Sequence, residues 1–130
     1  MFKSTFIPRI SEINAAKHIR QDVVAVWMVE GSLEIQKFFT PVLQEELSLI
    51  VANINIDFIN EMVFGKEVEV ATSVKRIGNS SFVLQQNICQ DGKLCARGLL
   101  TYINFNYSAH KSEIIPPAIV HKLEEHLIEE

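Results

Sequence analysis

The sequence predicts an α+β domain in which one antiparallel sheet wraps around a single long, buried helix. Residues 19–39 have helical periodicity and are apolar throughout from Val23 to Val29, and a helix that is apolar nearly all round is buried on most sides. Four segments after residue 48 are predicted to be β-strands, the first two by a clear alternation of apolar and polar residues. Short turns join the last three segments, which makes them an antiparallel meander.

The elements follow one another in a simple order. A first strand is predicted at residues 2–9, where Pro8 confines that part to a sheet edge or a strand end. Residues 10–18 are irregular, and the helix ends before Pro41. The later strands are predicted at residues 48–63, 67–77, 80–90 and 93–105, and a short helical tail begins at Pro116.

The helix needs more cover than one sheet provides. An antiparallel sheet turns one face to the core and the other to solvent, so it covers one side of a helix that is apolar on nearly every side. A second copy of the chain is the simplest cover for the rest. The sequence therefore predicts a homo-oligomer of one domain per chain, spanning residues 1–130.

Composition and charge exclude several classes of protein. Hydrophobic residues make up 48% and charged residues 22% of the 130 residues, which excludes a disordered chain. A net charge of −4 argues against a nucleic-acid partner. No apolar run is long enough to span a membrane, and no signal peptide is predicted, so we expect a cytoplasmic protein. Cys89 and Cys95 flank the hairpin turn Asp91-Gly92 and are expected to be free thiols.

Two stretches of the sequence are similar to a known family. Residues 12–21 (EINAAKHIRQ) match a segment Asp-x-Asp-x-x-Gly-His-Val-Asn-Asn, and residues 53–106 match a run of strands with a Gly-x-x-Val turn and an Ile-Gly-x-Ser-Ser turn. On these residues the chain resembles the hotdog-fold thioesterases, specifically the 4-hydroxybenzoyl-CoA thioesterase-like group. The resemblance implies a curved sheet around a long helix, two copies joined edge to edge, active sites at the dimer interface, and dimers that often pair into tetramers.

The matched segment departs from the family where the chemistry is expected. The family carboxylate, four residues before the histidine, is replaced by Asn14, while His18 is retained. An amide can neither take a proton from water nor act as this kind of nucleophile, so another group has to supply the base. Glu30 is the first charged residue after the apolar run, and a carboxylate among apolar neighbours would be a better base near neutral pH. We therefore expect Asn14, His18 and Glu30 at the reactive end of the pocket, although a structural ion pair is an alternative role for Glu30.

Other residues of the segment and the helix leave alternatives open. Asp22 is either an orienting partner for His18 or an acid that stabilises the first turn of the helix, and the second role is preferred. Catalysis without a carboxylate is a further possibility, in which Asn14, His18 and Arg20 hold water and polarise the carbonyl, at a cost of ~10²–10⁴-fold in rate. Ile19, Arg20 and Trp27 are predicted to contact the substrate.

The turn between the first and second meander strands is a candidate phosphate site. Lys75 and Arg76 precede it, and Ser80 and Ser81 offer hydroxyl groups to the phosphates of coenzyme A. A solvated hairpin end is the alternative. The same basic residues could also bind the acidic surface of an acyl-carrier protein.

The predicted activity is hydrolysis of an acyl thioester, most simply an acyl-CoA, to a free acid and a thiol. A non-catalytic protein that binds acyl thioesters is the main alternative, since Asn14 replaces the acid. An acyl-carrier protein thioesterase and an enoyl-CoA hydratase are others, and the hydratase needs an Asp and His pair in a longer segment. No metal and no separate cofactor are expected, because no Cys-x-x-Cys pair or Gly-rich phosphate loop is present.

Overall fold

The computed structural model describes residues 1–40 and 48–128 and confirms the α+β class, with helices packed on one antiparallel sheet. Within those residues, every helix is too short or too polar to reach across a bilayer. In chain order the elements are β1 (Phe2–Phe6), α1 (Gln21–Gly31), α2 (Leu33–Phe39), β2 (Leu49–Phe58), β3 (Val68–Ile77), β4 (Ser81–Gln90), β5 (Lys93–Asn106), β6 (Lys111–Ser112) and α3 (Pro117–Glu124), with one turn of 3₁₀ helix at Ile10–Glu12.

The sheet has the order β1-β3-β4-β5-β2, and each neighbouring pair is antiparallel. The predicted meander of β3, β4 and β5 is confirmed. Asp91 and Gly92 have φ angles of 55° and 70°, as a two-residue type I′ turn requires. The register pairs Cys89 with Leu94, as expected, and Cys89 and Cys95 are both free thiols.

Two strands are shorter than predicted. β1 ends at Phe6, before the proline, rather than at residue 9. β2 ends at Phe58 rather than at residue 63, because residues 62–64 leave the sheet and pair with residues 17–19. This non-local pairing brings the end of β2 over the segment that leads into α1.

The prediction of one helix over residues 19–39 is wrong in two respects. The helix begins at Gln21, because the amide of Ile19 donates to the carbonyl of Met62 at 2.9 Å. It also breaks at Ser32, where α1 ends and α2 begins. The amide of Ser32 donates to the carbonyl of Val29 at 3.1 Å, which closes a tighter turn than the α-helix and frees carbonyl groups upstream.

Buried side chains on the sheet satisfy the carbonyl groups at this break. Gln86 on β4 donates its Nε2 to the carbonyl of Met28 at 2.7 Å, and Thr72 on β3 donates its hydroxyl to the carbonyl of Gly31 at 3.1 Å. Nε2 of Gln86 also donates to Oγ1 of Thr72 at 3.0 Å. The sheet therefore stabilises the break, since an unpaired buried carbonyl is costly.

A second group of hydrogen bonds joins β5 to the same break. The hydroxyls of Tyr102 and Ser32 lie 2.7 Å apart, and Gln36 on α2 donates its Nε2 to the hydroxyl of Tyr102 at 3.2 Å. Oγ of Ser32 donates to the carbonyl of Val29 at 2.6 Å. Burial raises the pKa of Tyr102, and its hydrogen bonds with Ser32 and Gln36 oppose that rise only in part. The phenol is therefore held in its protonated form.

The core lies between α1 and the inner face of the sheet. Met28 is fully buried over Gly98 on β5, where an added Cβ would lie 2.3 Å from Cε of Met28. Glycine at this position therefore permits the close approach of helix and strand. The fully buried or nearly fully buried apolar side chains include Val24, Met28, Ile35, Val68, Val70, Val74, Phe82, Leu84, Ile88, Ala96, Leu100, Ile115 and Leu123.

Two apolar surfaces of the protomer stay exposed. β2 is an edge strand of the sheet, and its Val51, Ile54 and Phe58 are 38%, 38% and 45% exposed. On α1, Val26 is 58% exposed. These surfaces fit the expectation that one sheet cannot cover the helix on every side. The homo-oligomer that would cover them stays a prediction.

Candidate active site

A tight turn precedes α1 and is held by the side chain of Asn14. Oδ1 of Asn14 accepts hydrogen bonds from the amides of Ala16 at 3.0 Å and His18 at 3.2 Å. The amide of Asn14 donates back to the carbonyl of His18 at 2.9 Å. Lys17 has a φ of 62°, the left-handed conformation that lets the chain reverse here. Because Oδ1 faces two donors, the Nδ2 group of Asn14 is the end left for another partner.

A cavity of about 640 Å³ opens beside this turn. Its walls come from the turn, the first turns of α1 and the segment that follows β2. The volume falls within the range of small-molecule sites. The lining residues are Asn14, His18, Ile19, Arg20, Gln21, Asp22, Val24, Phe58, Ile59, Asn60, Glu61 and Met62.

The side chains of His18 and Glu61 lie within ion-pair distance of each other at the rim of this cavity. Nε2 of His18 lies 3.3 Å from Oε2 of Glu61, and the two side chains are 35% and 76% exposed. The backbone holds the two residues near each other, because His18 forms an antiparallel bridge with Val63, two residues along the chain from Glu61. The amide of Phe64 donates to the carbonyl of Lys17 at 3.0 Å in the same pairing.

Arg20 and Asp22 form a second polar pair in the cavity wall. Nε and Nη2 of Arg20 donate to the two carboxylate oxygens of Asp22 at 3.1 Å and 3.3 Å, and Nη1 donates to the carbonyl of Ser11 at 2.9 Å. Asp22 lies in the first turn of α1, which is the preferred prediction for this residue. Since its carboxylate is bound to Arg20, it is not the partner of His18.

The first amides of α1 also face this end of the molecule. Arg20 is the N-cap of the helix and provides no side-chain cap. Among the hydrogen bonds between described residues, the amides of Gln21 and Asp22 have no acceptor, and both residues line the cavity. A helix N-terminus with free N–H groups stabilises negative charge on a bound group.

The structure therefore brings together four of the predicted site residues: Asn14, His18, Ile19 and Arg20. Ile19 is buried in the cavity wall, and Phe58 lies beside it as an apolar lining residue.

Glu30 and Trp27 lie elsewhere. They border a separate cavity of about 220 Å³ against β1 and the 3₁₀ turn. Trp27 is buried, stacks on Phe6 at 5.8 Å and donates its Nε1 to Oε2 of Glu12 at 3.1 Å. Glu30 is exposed, so the expectation that its neighbours desolvate it is wrong for the protomer. The cause is the direction of its side chain, which points to the outer face of α1 together with exposed Val26.

The candidate phosphate turn is also remote from the cavity within one protomer. Ser81 pairs with Ile103 on β5, whereas Phe58 pairs with Ala96 on the same strand. At ~3.3 Å per residue, these two levels of the sheet lie roughly 23 Å apart. Lys75, Arg76 and Ser80 lie at the end of the sheet that is marked by Ser81.

Sequence reasoning missed Glu61. Residues 48–63 were expected to form one strand, in which Glu61 would be an ordinary polar position. Only the pairing of residues 62–64 with residues 17–19 reveals its proximity to His18. Elsewhere in the described part of the chain, no three His, Cys, Asp or Glu side chains are grouped as metal ligands would be.

Comparison with known proteins gives the family. The model of the thioesterase-like superfamily matches residues 8–123. A predicted thioesterase from Bacillus stearothermophilus is 37% identical, with a TM-score of 0.95 over 99% of this chain and 98% of that chain. A Thermus thermophilus thioesterase complexed with coenzyme A and zinc is 20% identical, with a TM-score of 0.85 over 94% and 96% of the two chains.

A gentisyl-coenzyme A thioesterase is similar in fold, with 16% identity and a TM-score of 0.78 over 94% of this chain and 98% of that chain. No functionally curated protein matches the sequence significantly. The match to the family model covers most of the chain, and the Bacillus stearothermophilus structure is similar over its whole length. The chain therefore belongs to the thioesterase-like superfamily, and the resemblance inferred from its motifs is confirmed.

Proposed function

We propose that the chain hydrolyses an acyl thioester of coenzyme A in the cavity at the start of α1. The observation that carries the proposal is the meeting of free helix amides at Gln21 and Asp22 with Asn14 and His18 around one cavity of about 640 Å³. Family membership makes thioesters the expected substrate class. Structures of similar fold include one in complex with coenzyme A, which supports this thiol as the carrier.

Free amide groups suit the main electrostatic task of thioester hydrolysis. When water attacks the thioester carbon, the carbonyl oxygen becomes an oxyanion. Preorganised N–H donors at a helix N-terminus stabilise that charge. The amides of Gln21 and Asp22 are such donors, and the Nδ2 group of Asn14 is a third, because Oδ1 of Asn14 is already bound to the turn.

The cavity lining combines polar and apolar side chains. Its polar residues include His18, Arg20 and Asp22, and its apolar side chains are Ile19, Val24, Phe58, Ile59 and Met62. The apolar side chains favour the acyl group or the pantetheine arm, while the polar groups suit the reacting carbonyl.

Oligomerisation would complete the site, and β2 is the edge we propose for it. A long, exposed, apolar edge strand needs a partner, and β2 pairs with β5 on one side only among the described residues. Two copies related by a twofold axis would pair β2 with β2 in antiparallel orientation. The Leu49 end of one copy would then lie beside the Phe58 end of the other.

In this dimer the candidate phosphate turn could contact the substrate. The end of the sheet that carries Lys75, Arg76, Ser80 and Ser81 is also the Leu49 end of β2, because Leu49 pairs with Asn104 and Ser81 with Ile103. The partner's copy of this turn would therefore approach the cavity of the first protomer. Its cations and hydroxyls suit the phosphates of coenzyme A. Further pairing of dimers into tetramers and a cytoplasmic location stay predictions.

Thiol release from a panel of substrates tests the proposal. The purified chain is incubated with acetyl-, benzoyl- and palmitoyl-CoA and with an acylated carrier protein, and free thiol is measured with a chromogenic reagent. We expect release from at least one acyl-CoA. Thiol release from the acylated carrier protein and from no acyl-CoA would show that the substrate is a carrier-protein thioester. Binding of acyl-CoA without release would instead support a non-catalytic binding protein, the function favoured by the absence of an acid at Asn14.

A further inference from the structure

We propose that Glu61 is a positioning residue that fixes the imidazole of His18, so that His18 acts as the general base of the reaction. This inference rests on the proposed thioester hydrolysis. It answers the chemical question raised by Asn14, which cannot activate water. The carboxylate of Glu61 lies 3.3 Å from Nε2 of His18, at the rim of the same cavity that holds the free amides of α1.

The pairing of these side chains is built into the backbone. His18 forms a bridge with Val63, and the amide of Ile19 donates to the carbonyl of Met62 at 2.9 Å. Oδ1 of Asn14 fixes the other side of the turn through the amide of His18. Glu61 therefore meets His18 because two non-local segments are held in register, and the contact does not depend on two long surface side chains finding each other.

Glu61 is also the carboxylate that is available for this role. Two acids line the cavity, Asp22 and Glu61. Both oxygens of Asp22 accept hydrogen bonds from Arg20. Glu61 has His18 as its ion-pair partner among the described residues.

The arrangement sets the roles of the two ring nitrogens. Because Nε2 lies 3.3 Å from the carboxylate of Glu61, we place the proton of neutral His18 on Nε2 and the lone pair on Nδ1. Among the described residues, Nδ1 has no hydrogen-bond partner, so it is the nitrogen left for a water molecule. A base that is oriented by a third group is the general logic of catalytic triads.

The reaction then balances with water as the only co-reactant. Nδ1 of His18 takes one proton from water as the hydroxyl oxygen bonds to the thioester carbon, and the carbonyl electron pair moves to the oxygen that faces the amides of Gln21 and Asp22. The tetrahedral intermediate collapses, the carbon–sulfur bond breaks, and the thiolate takes the proton from His18. The products are the carboxylic acid and the free thiol, and Glu61 stays ionised throughout while it stabilises the transient imidazolium.

The exposure of the pair makes the inference testable without unfolding the protein. Exposed ion pairs contribute little to folding stability, and Glu61 is 76% exposed. Glu61→Gln keeps the size of the side chain and removes its charge. Glu69→Gln is the matched control, since Glu69 is a glutamate on β3 whose side chain is 47% exposed and pairs with Lys3 at 3.9 Å, away from the cavity.

The experiment is a double-mutant cycle on the full chain with the acyl-CoA that wild type hydrolyses best. We expect His18→Ala to lower kcat by ~10²–10⁴-fold, as loss of a general base does. Glu61→Gln should lower kcat by about 10- to 100-fold with KM within about twofold, a smaller loss than for a buried triad acid. The double variant should be no slower than His18→Ala, because Glu61 acts only through His18. Glu69→Gln should match wild type.

An independent readout is the ¹⁵N spectrum of the His18 ring in the free protein. In wild type we expect neutral His18 to carry its proton on Nε2. In Glu61→Gln we expect a smaller preference for this tautomer, because the amide of glutamine can also donate to Nε2. Equal tautomer populations in the two proteins would overturn the inference, as would an unchanged kcat in Glu61→Gln or multiplicative losses in the double variant. In those cases an active wild type would leave the proposed hydrolysis standing. A wild type that releases no thiol from any acyl-CoA would overturn both.

Discussion

Thr72→Val tests whether the sheet stabilises the break between α1 and α2. Thr72 is fully buried on β3, and its hydroxyl donates to the carbonyl of Gly31 at 3.1 Å. Valine has nearly the same shape and lacks the donor. The substitution would leave a buried carbonyl at the end of α1 without its partner. It would also remove one acceptor of Gln86, whose Nε2 keeps the carbonyl of Met28.

The expected loss follows from two opposing terms. Leaving a buried carbonyl unpaired costs about 1–3 kcal/mol. The new methyl group recovers about 0.8 kcal/mol, since it replaces a hydroxyl in an apolar site. The free energy of unfolding should therefore fall by roughly 0.2–2.2 kcal/mol. For a domain of this size, that corresponds to a fall in Tm of about 1–9 °C.

Urea denaturation followed by circular dichroism measures this loss. The midpoint should move to lower urea with the slope m unchanged, which identifies a change in stability alone. Thr101→Val on β5 is the matched control, because Thr101 is half-buried and its hydroxyl makes no hydrogen bond to another described residue. The reasoning is refuted if Thr72→Val is as stable as Thr101→Val, because the carbonyl of Gly31 would then not need its donor.

Three further substitutions test other parts of the structure. Gly98→Ala presses a Cβ against buried Met28 and should lower the free energy of unfolding by about 1–3 kcal/mol. In urea titrations, the double variant Gly98→Ala/Met28→Ala should lose less free energy of unfolding than the two single variants lose together. Additive losses would contradict the contact between the two residues. Burial raises the pKa of Tyr102 in the folded state. The stability that Tyr102 contributes is therefore complete below its pKa in the unfolded chain, about 10, and is lost as pH rises through its pKa in the folded protein. Tyr102→Phe should therefore flatten the fall in Tm above pH 10, and parallel Tm curves would argue against this. Asn14→Asp keeps an acceptor for the turn, so its free energy of unfolding should stay within about 1 kcal/mol of wild type, while its turnover should fall because the carboxylate lacks the Nδ2 donor proposed for the oxyanion. A folded Asn14→Asp that is as fast as wild type would contradict this role of Nδ2.

The sequence predicted those features that depend on local pattern. Strand alternation identified β2 and β3, and the turn Asp91-Gly92 identified the hairpin of β4 and β5 with its register. The apolar run identified a buried helix. The break at Ser32 was missed because its hydrogen-bond partners come from strands far along the chain, such as Thr72, which lies 41 residues from Gly31. No local signal reports such a partner.

The candidate site also divides into residues with a local sequence signal and residues that depend on contacts far along the chain. Asn14 and His18 were found because they belong to one short segment, and they line the same cavity. Glu30 was favoured by its place after the apolar run, but helical spacing did not show which face of α1 it occupies once the sheet is packed. Glu61 was hidden because its significance depends on a bridge between segments about 45 residues apart, a contact that periodicity does not predict.

Asn14 shows why one substitution need not abolish the function of the site. Its Oδ1 accepts two backbone hydrogen bonds that shape the turn before α1, and an asparagine oxygen performs this task as well as an aspartate oxygen does. The change from the family residue therefore preserves the position of His18 and of the free amides, while it removes a negative charge and adds the Nδ2 donor. A charge can be supplied from any segment that reaches the same point. Glu61 reaches it from the opposite strand end, 3.3 Å from His18, so the turn and the carboxylate are separable parts of the site.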